Sequence, residues 1–195
     1  MSDVLIIDDA IPLDVQNDLA ELCLSVNFPW FFHPTSAYEK SDLEKYNFDE
    51  SFFKNSVDTM LFTHVLYGNN GVNSQFFKAF KPVVESIPDV ANSTLNRFKI
   101  NLTMPDSCCN STTHSIAHVD LVETVDYKTA LYYINDSDGD TIIFNERWPY
   151  NGALTIKQRI TPKKGRLVVF DGKCLHAGNN PSAGARLTAN INIIL

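Results

Sequence analysis

Residues 186–193 read Arg186-Leu187-Thr188-Ala189-Asn190-Ile191-Asn192-Ile193. Alternate side chains of a strand face opposite ways. The octet therefore separates into an apolar row (Leu187, Ala189, Ile191, Ile193) and a polar row (Arg186, Thr188, Asn190, Asn192). The apolar row belongs against a core. The polar row suits either a solvated outer face or the lining of an anion-binding interior, and the residues upstream decide between them.

From residue 95 onward, short β-rich runs follow one another: 97–103, 114–119, 127–134, 141–144, 154–160, 166–170, the neighbourhood of His176, and 185–195. Asp136-Ser137-Asp138-Gly139 and Pro162-Lys163-Lys164-Gly165 separate some of them as turns, with glycine supplying the positive φ. About eight antiparallel strands with no helix between them predict a mainly β fold, a sandwich or jelly roll.

The first half differs. Val4–Ile7 reads as a short strand. Pro12 suits a first helical turn, and Val15, Leu19 and Leu22 recur at helical spacing, so a helix is expected to about Ser25. Eleven of the 22 aromatic residues lie between Phe28 and Tyr67, a stretch too apolar for disorder. A second helix is expected from Ser74, with Phe76, Phe80 and Val84 on one face and a break at Pro82. Residues 1–195 are read as one domain: 1–94 as helical and aromatic-rich support that covers one sheet, 95–195 as the β core.

A chain of 195 residues with 44% hydrophobic and 20% charged residues has ordinary globular composition. Its net charge of -7 argues against a nucleic-acid backbone as main partner. No apolar run is long enough to span a bilayer, and the N-terminus lacks the basic flank of a signal peptide. A cytoplasmic protein with reduced cysteines is expected. Cys108 and Cys109 precede His114 and His118, but adjacent cysteines lack the spacer of zinc knuckles.

His118-Val119-Asp120 puts an imidazole and a carboxylate on one face. His176 follows the apolar run 167–170 and precedes Arg186 by ten residues. Two histidines and one carboxylate leave half of an octahedron open, which is the facial arrangement of non-haem Fe(II) oxygenases.

With these residues in hand, the chain resembles the Fe(II)/2-oxoglutarate-dependent dioxygenases, in particular their prolyl 4-hydroxylase-like branch. The matching segments are His118-Val119-Asp120, the run 129–135, the hairpin Gly139–Phe144, Pro162–Phe170, His176-Ala177-Gly178 and Arg186-Leu187-Thr188, in the family's order across residues 97–195. The resemblance implies a double-stranded β-helix. It implies iron held by His118, Asp120 and His176. It also implies 2-oxoglutarate paired with Arg186 and supported by Thr188 and Tyr133, with Asn192 and Asn101 lining the metal end. The implied activity is hydroxylation of a C–H of a peptidyl proline, amino acid or other small substrate. O2 is consumed, ascorbate serves as an accessory reductant, and succinate and CO2 are released. Arg186 stands where some animal collagen hydroxylases have lysine, so the resemblance does not extend to collagen-like substrates.

Arg147, Trp148 and Tyr150 combine charge, a large apolar face and a hydroxyl, the composition of binding hot spots. Together with residues 28–67 they are the expected flanks of the substrate entrance. Two other classes compete with an oxygenase: a non-enzymatic jelly-roll binding or structural module, and a cupin-like metalloenzyme that does not use 2-oxoglutarate. The first leaves the joint presence of His118, Asp120, His176 and Arg186 without a reason. The second leaves Arg186 and Thr188 without one.

Overall fold

The octet 186–193 lies in the central strand of the larger of two antiparallel sheets. In this computed structural model residues 4–37, 45–68, 71–90, 93–108, 110, 112–122 and 125–195 are described. Tyr38 and Cys109 lie outside them. The strands are β1 (Leu5–Ile7), β2 (Phe31–His33), β3 (Leu61–Gly68), β4 (Gly71–Val72), β5 (Thr94–Thr103), β6 (Tyr127–Tyr133), β7 (Thr141–Arg147), β8 (Ile156–Ile160), β9 (Leu167–Asp171), β10 (Cys174–Gly178) and β11 (Arg186–Ile194). The helices α1 (Leu13–Leu24) and α2 (Lys81–Glu85) precede the β-rich half.

The larger sheet runs β1-β9-β6-β11-β5-β3-β2, with β4 on β3, and the smaller runs β10-β7-β8. Alternation along β11 is obeyed strictly. Leu187, Ala189, Ile191 and Ile193 join Phe98, Ile100, Ala130 and Tyr132 in a core closed by Leu19 and Cys23 of α1 and by Phe80, Val83 and Ile87 around α2. The helices thus cover the outer face of the large sheet, as expected. Burying each large aliphatic side chain there contributes roughly 1.5–3 kcal/mol. The opposite row, Arg186, Thr188, Asn190 and Asn192, is equally buried, so it is an interior lining. Below it a second core links the sheets: Leu131, Tyr133, Val168 and Phe170 from the large one meet Ile143, Ile160 and Cys174 from the small one.

Three expectations need correction. Residues 28–67 do more than support the core, because β2 and β3 extend the large sheet through eight-residue β3, which pairs with β5. Its interleaved Phe62, His64 and Leu66 gave an apolar stretch without a clean period of two. The helix expected from Ser74 is a 3-10 turn, Gln75–Lys78, followed by the short α2, whose Pro82 sits in its first turn where no amide is required. Residues 114–119 form no regular strand. They touch their neighbours through two isolated bridges, Ser56 with His114 and His118 with His176. Among these residues Ser115, Ile116, Ala117 and Val119 are all buried, so both faces of the segment are covered and it lacks alternation.

Gly165 takes φ +82° in the predicted turn, and a Cβ there would strike the Gln16 side chain. That contact seats α1 on the sheet, where Gln16 Nε2 donates to Ile11 O at 2.9 Å. No helix among the described residues is long and apolar enough to cross a membrane.

Candidate metal centre

His118 and His176 face each other across the bridge that joins residues 114–119 to β10. Each backbone N–H donates to the other's carbonyl, at 2.9 and 3.0 Å, and their ring centroids are 4.7 Å apart. Nδ1 of His118 lies 2.9 Å from Ile116 O and Nδ1 of His176 lies 3.1 Å from Cys174 O. A carbonyl only accepts, so both Nδ1 atoms carry the proton and both Nε2 atoms are left as lone-pair donors. This is how a protein fixes the tautomer of a metal-ligating histidine. Nε2 of His176 is buried without a hydrogen-bond partner. Burial, then His176, holds the His118 imidazolium down to about 4, against the opposing pull of Asp120, so the ring is neutral and able to ligate near pH 7.

Asp120 completes the group. Ligand atoms of His118, Asp120 and His176 all lie within 4.8 Å of one another, and His176 Nε2 is 3.7 Å from Asp120 Oδ2. One ion about 2 Å from each atom can bridge that span after small side-chain rotations. An orphaned imidazole nitrogen aimed at a carboxylate, with both rings in the ligating tautomer, fits a divalent metal.

The carboxylate is fixed by four donors from three strands. Arg97 Nη2 reaches Oδ1 at 2.8 Å, Thr129 Oγ1 reaches Oδ2 at 3.1 Å, Asn192 Nδ2 reaches Oδ2 at 2.9 Å, and Asn190 Nδ2 reaches Oδ1 at 3.0 Å. Desolvation favours the neutral acid, but Arg97, His176 and Lys99 outweigh it and keep Asp120 ionised well below the usual carboxylate range. Register explains the convergence: Asn192 stands opposite Arg97 on β5 and opposite Thr129 on β6. Asn192, expected to line the metal end, therefore acts on the carboxylate.

Arg186 lies at the far end of the same narrow cavity, about 70 Å³, whose walls include Lys99, Asn101, Thr103, His118 and Asn190. Its Nε donates to Gly139 O at 2.7 Å and its Nη2 to Thr141 Oγ1 at 2.8 Å. A Cβ on Gly139 would collide with Asn179 O, so that residue must be glycine for the arginine to be held here. Tyr133 donates to the same Thr141 hydroxyl at 2.7 Å. No carboxylate of the described residues pairs with Arg186, although it is buried. Thr188 is buried between Tyr133 on β6 and Asn101 on β5, and Asn101 Oδ1 has no partner. Tyr132 points the other way, into the core beneath the helices.

The three entrance residues lie elsewhere. Trp148 packs against Tyr46 and Phe48, in a cluster with Phe52, Ile142, Phe144 and Leu175 on the outer face of the small sheet. Arg147 pairs with Asp171 at 2.8 Å, and Tyr150 donates to Ala153 O at 3.1 Å. None of the three lines the cavity, which instead draws Ser36, Thr59 and Leu61 from the aromatic-rich half. Trp148→Ala is therefore expected to lower stability by about 2 kcal/mol, less than for a fully buried tryptophan. Thermal melts should show the loss, with metal affinity unchanged.

Arg97, Thr129, Thr141 and Lys99 went unnoticed in the sequence, where Asn190 was read only as a member of the polar row. Strand parity could have found three of them, since Arg97 and Lys99 share a face with Asn101, and Thr129 shares one with Tyr133.

No family model matches the chain, and no curated protein matches it. Solved structures do. SnoN, the non-haem α-ketoglutarate-dependent epimerase of nogalamycin biosynthesis, is 8% identical, with 99% of this chain and 78% of that chain covered at a TM-score of 0.63. A prolyl hydroxylase from Trichoplax adhaerens, solved with a hypoxia-inducible-factor peptide, is 13% identical, covering 98% and 83% at a TM-score of 0.59. A prolyl-4-hydroxylase from Pseudomonas putida is 14% identical, covering 100% and 92% at 0.51.

The chain has the fold of the 2-oxoglutarate–Fe(II) oxygenases, prolyl hydroxylases among them. Within that fold, His118 of the His118, Asp120 and His176 group and Arg186 line one and the same cavity.

Proposed function

We propose that the protein is an Fe(II)- and 2-oxoglutarate-dependent oxygenase that hydroxylates a C–H bond of a small-molecule or peptide substrate in the cytoplasm. The two sheets are read as the halves of a double-stranded β-helix. The observation that carries this reading is one cavity lined both by His118, a member of the His118, Asp120 and His176 group, and by Arg186, which is buried with no carboxylate partner among the described residues. Neighbours of the same fold act on a peptide and on nogalamycin, which leaves both substrate types within the reading.

Bound there, iron with 2-oxoglutarate and O2 supplies the oxidising power for C–H cleavage. The chain's own residues supply position. His118 and His176 offer Nε2 lone pairs because their Nδ1 protons are held by Ile116 and Cys174 carbonyls. Arg97, Asn190, Asn192 and Thr129 hold Asp120 in one orientation. Arg186 offers its remaining N–H groups to the distal carboxylate, a charge-assisted pairing of the strong kind. Tyr133 and Thr141 keep the guanidinium in place, and Thr188 and Asn101 would flank a cosubstrate bound to it. The apolar wall of Val168, Phe170 and Ile143 excludes water beneath the site, as a cofactor enzyme must.

The test is anaerobic addition of Fe(II) and then 2-oxoglutarate, followed by admission of air. A visible charge-transfer band that needs both additions, and succinate formation afterwards, are expected. A protein that binds Fe(II) but gives no band and no succinate overturns the proposal.

A further inference from the structure

Lys99 is a cation beside the site that has no direct hydrogen-bond partner among the described residues. It lines the cavity beside His118 and Asn190, and its strand register places it opposite Asn190 on β11 and Val65 on β3. Asn190, opposite it, donates to Asp120 Oδ1 at 3.0 Å, so the lysine belongs to the metal end. Arg186 is paired with Thr103, four residues further along β5, or about 13 Å of strand. The two cations therefore serve opposite ends of the cavity.

Counting charges shows what Lys99 lacks. Asp120 is matched by Arg97. Of the two carboxylates of 2-oxoglutarate, one goes to Arg186 and the other is compensated by the dication it chelates. Every anion then has a cation, and Lys99 is left positive in the cavity wall. No carboxylate or hydrogen-bond acceptor of the described residues is paired with it. Desolvation, with Arg97 adding and Asp120 opposing, draws its pKa down to about 8, a penalty that a bound anion would remove. Opposite it on β11, Asn190 Oδ1 is buried without a partner, so the wall there also has an acceptor for a ligand's donor. On the β3 side Val65 is 39% exposed, so Lys99 lies between the metal group and the open side of the sheet.

We infer that Lys99 receives a carboxylate of the prime substrate, so that the substrate class is a small carboxylic acid, such as a free amino acid, rather than an internal residue of a peptide. The inference rests on the oxygenase reading above. It explains why a cavity already equipped for one dianion carries a further unmatched cation. A neutral peptide backbone would leave that half-buried cation unpaired, whereas a carboxylate gives it a charge-assisted hydrogen bond.

The experiment uses the full chain loaded with Mn(II). Calorimetric titration with 2-oxoglutarate comes first, in the wild type and in Lys99→Met. The ternary complex is then titrated with free L-amino acids and short aliphatic acids, each beside its primary amide. At least one acid is expected to bind the wild type ten or more times more tightly than its amide. Lys99→Met should erase that preference while holding 2-oxoglutarate affinity within twofold. Without ligands the variant should melt at a higher temperature than the wild type, because it no longer holds an unmatched charge against the cavity wall. The inference is overturned if no acid binds, if acids and amides bind alike, or if Lys99→Met weakens 2-oxoglutarate tenfold, which would assign the lysine to the cosubstrate. A wild type that does not bind 2-oxoglutarate at all fails in the first titration, and that failure belongs to the oxygenase reading.

Discussion

Arg186→Met is expected to abolish measurable 2-oxoglutarate binding and to leave metal binding intact. Arg186 is 7% exposed and is held by Gly139 O and Thr141 Oγ1, with no carboxylate partner among the described residues. Removing one partner of a desolvated charge pair costs about 3–5 kcal/mol, or roughly two to three and a half orders of magnitude in affinity. Arg186→Lys should fall between, because lysine keeps the charge and loses the planar fork that holds a carboxylate with two bonds. Titration of 2-oxoglutarate into the Mn(II) protein measures both variants. An unaltered affinity in Arg186→Met would falsify the assignment. Binding that merely weakens twofold would point to a carboxylate held elsewhere in the cavity.

The second large effect concerns the metal. His176→Ala should lower divalent-metal affinity by more than about 100-fold, since even partners that only orient ligands are worth 10- to 100-fold. Arg97→Leu supplies the comparison: it spares all three ligands but frees Asp120 from its strongest donor, so a loss of about 10- to 100-fold is expected. Competition against a coloured chelator gives the affinities. A His176→Ala protein that still binds Mn(II) as the wild type does would remove this residue from the metal group, whatever the fate of Arg186.

Much of this site was legible because its residues sit on strands whose period is two. The row Arg186, Thr188, Asn190 and Asn192 could be read from alternation alone, and only the question of inside or outside needed the histidines. His118, Asp120 and His176 come together because residues far apart in sequence are brought across one bridge, and their types implied that meeting before any geometry did. Trp148 was misleading for a physical reason. A tryptophan next to an arginine and a tyrosine has the composition of a binding surface, yet the same ring also suits the outer face of a small sheet, where Phe48 and Phe52 already stack with centroids 4.3 Å apart. Composition does not separate those uses. β3 was hidden because it is covered unevenly: Leu61, Thr63, His64 and Leu66 are buried whereas Val65 is exposed, so two faces are mixed in one run. Arg97 was passed over because it begins a strand that looked like plain sheet, and its role depends on a partner 95 residues away, Asn192.

The reciprocal backbone pair between His118 and His176 has a consequence for how the protein opens. Residues 114–119 are tied to the small sheet by that bridge and by a few single bonds, among them Ser115 N–H to Gly178 O. A metal ion shared by both histidines would act as a cross-link over the same place, closing a loop of the chain between residues 118 and 176. Segments held by few bonds exchange their amide hydrogens through local opening, and a ligand that binds only the closed form suppresses that opening by mass action. The amides of His118 and His176 should therefore exchange much more slowly once metal is added, whereas those of Ile100 and Ile191, deep in the large sheet, should barely change. Deuterium uptake at these two places would then serve as a gauge of metal occupancy that needs no substrate and no turnover.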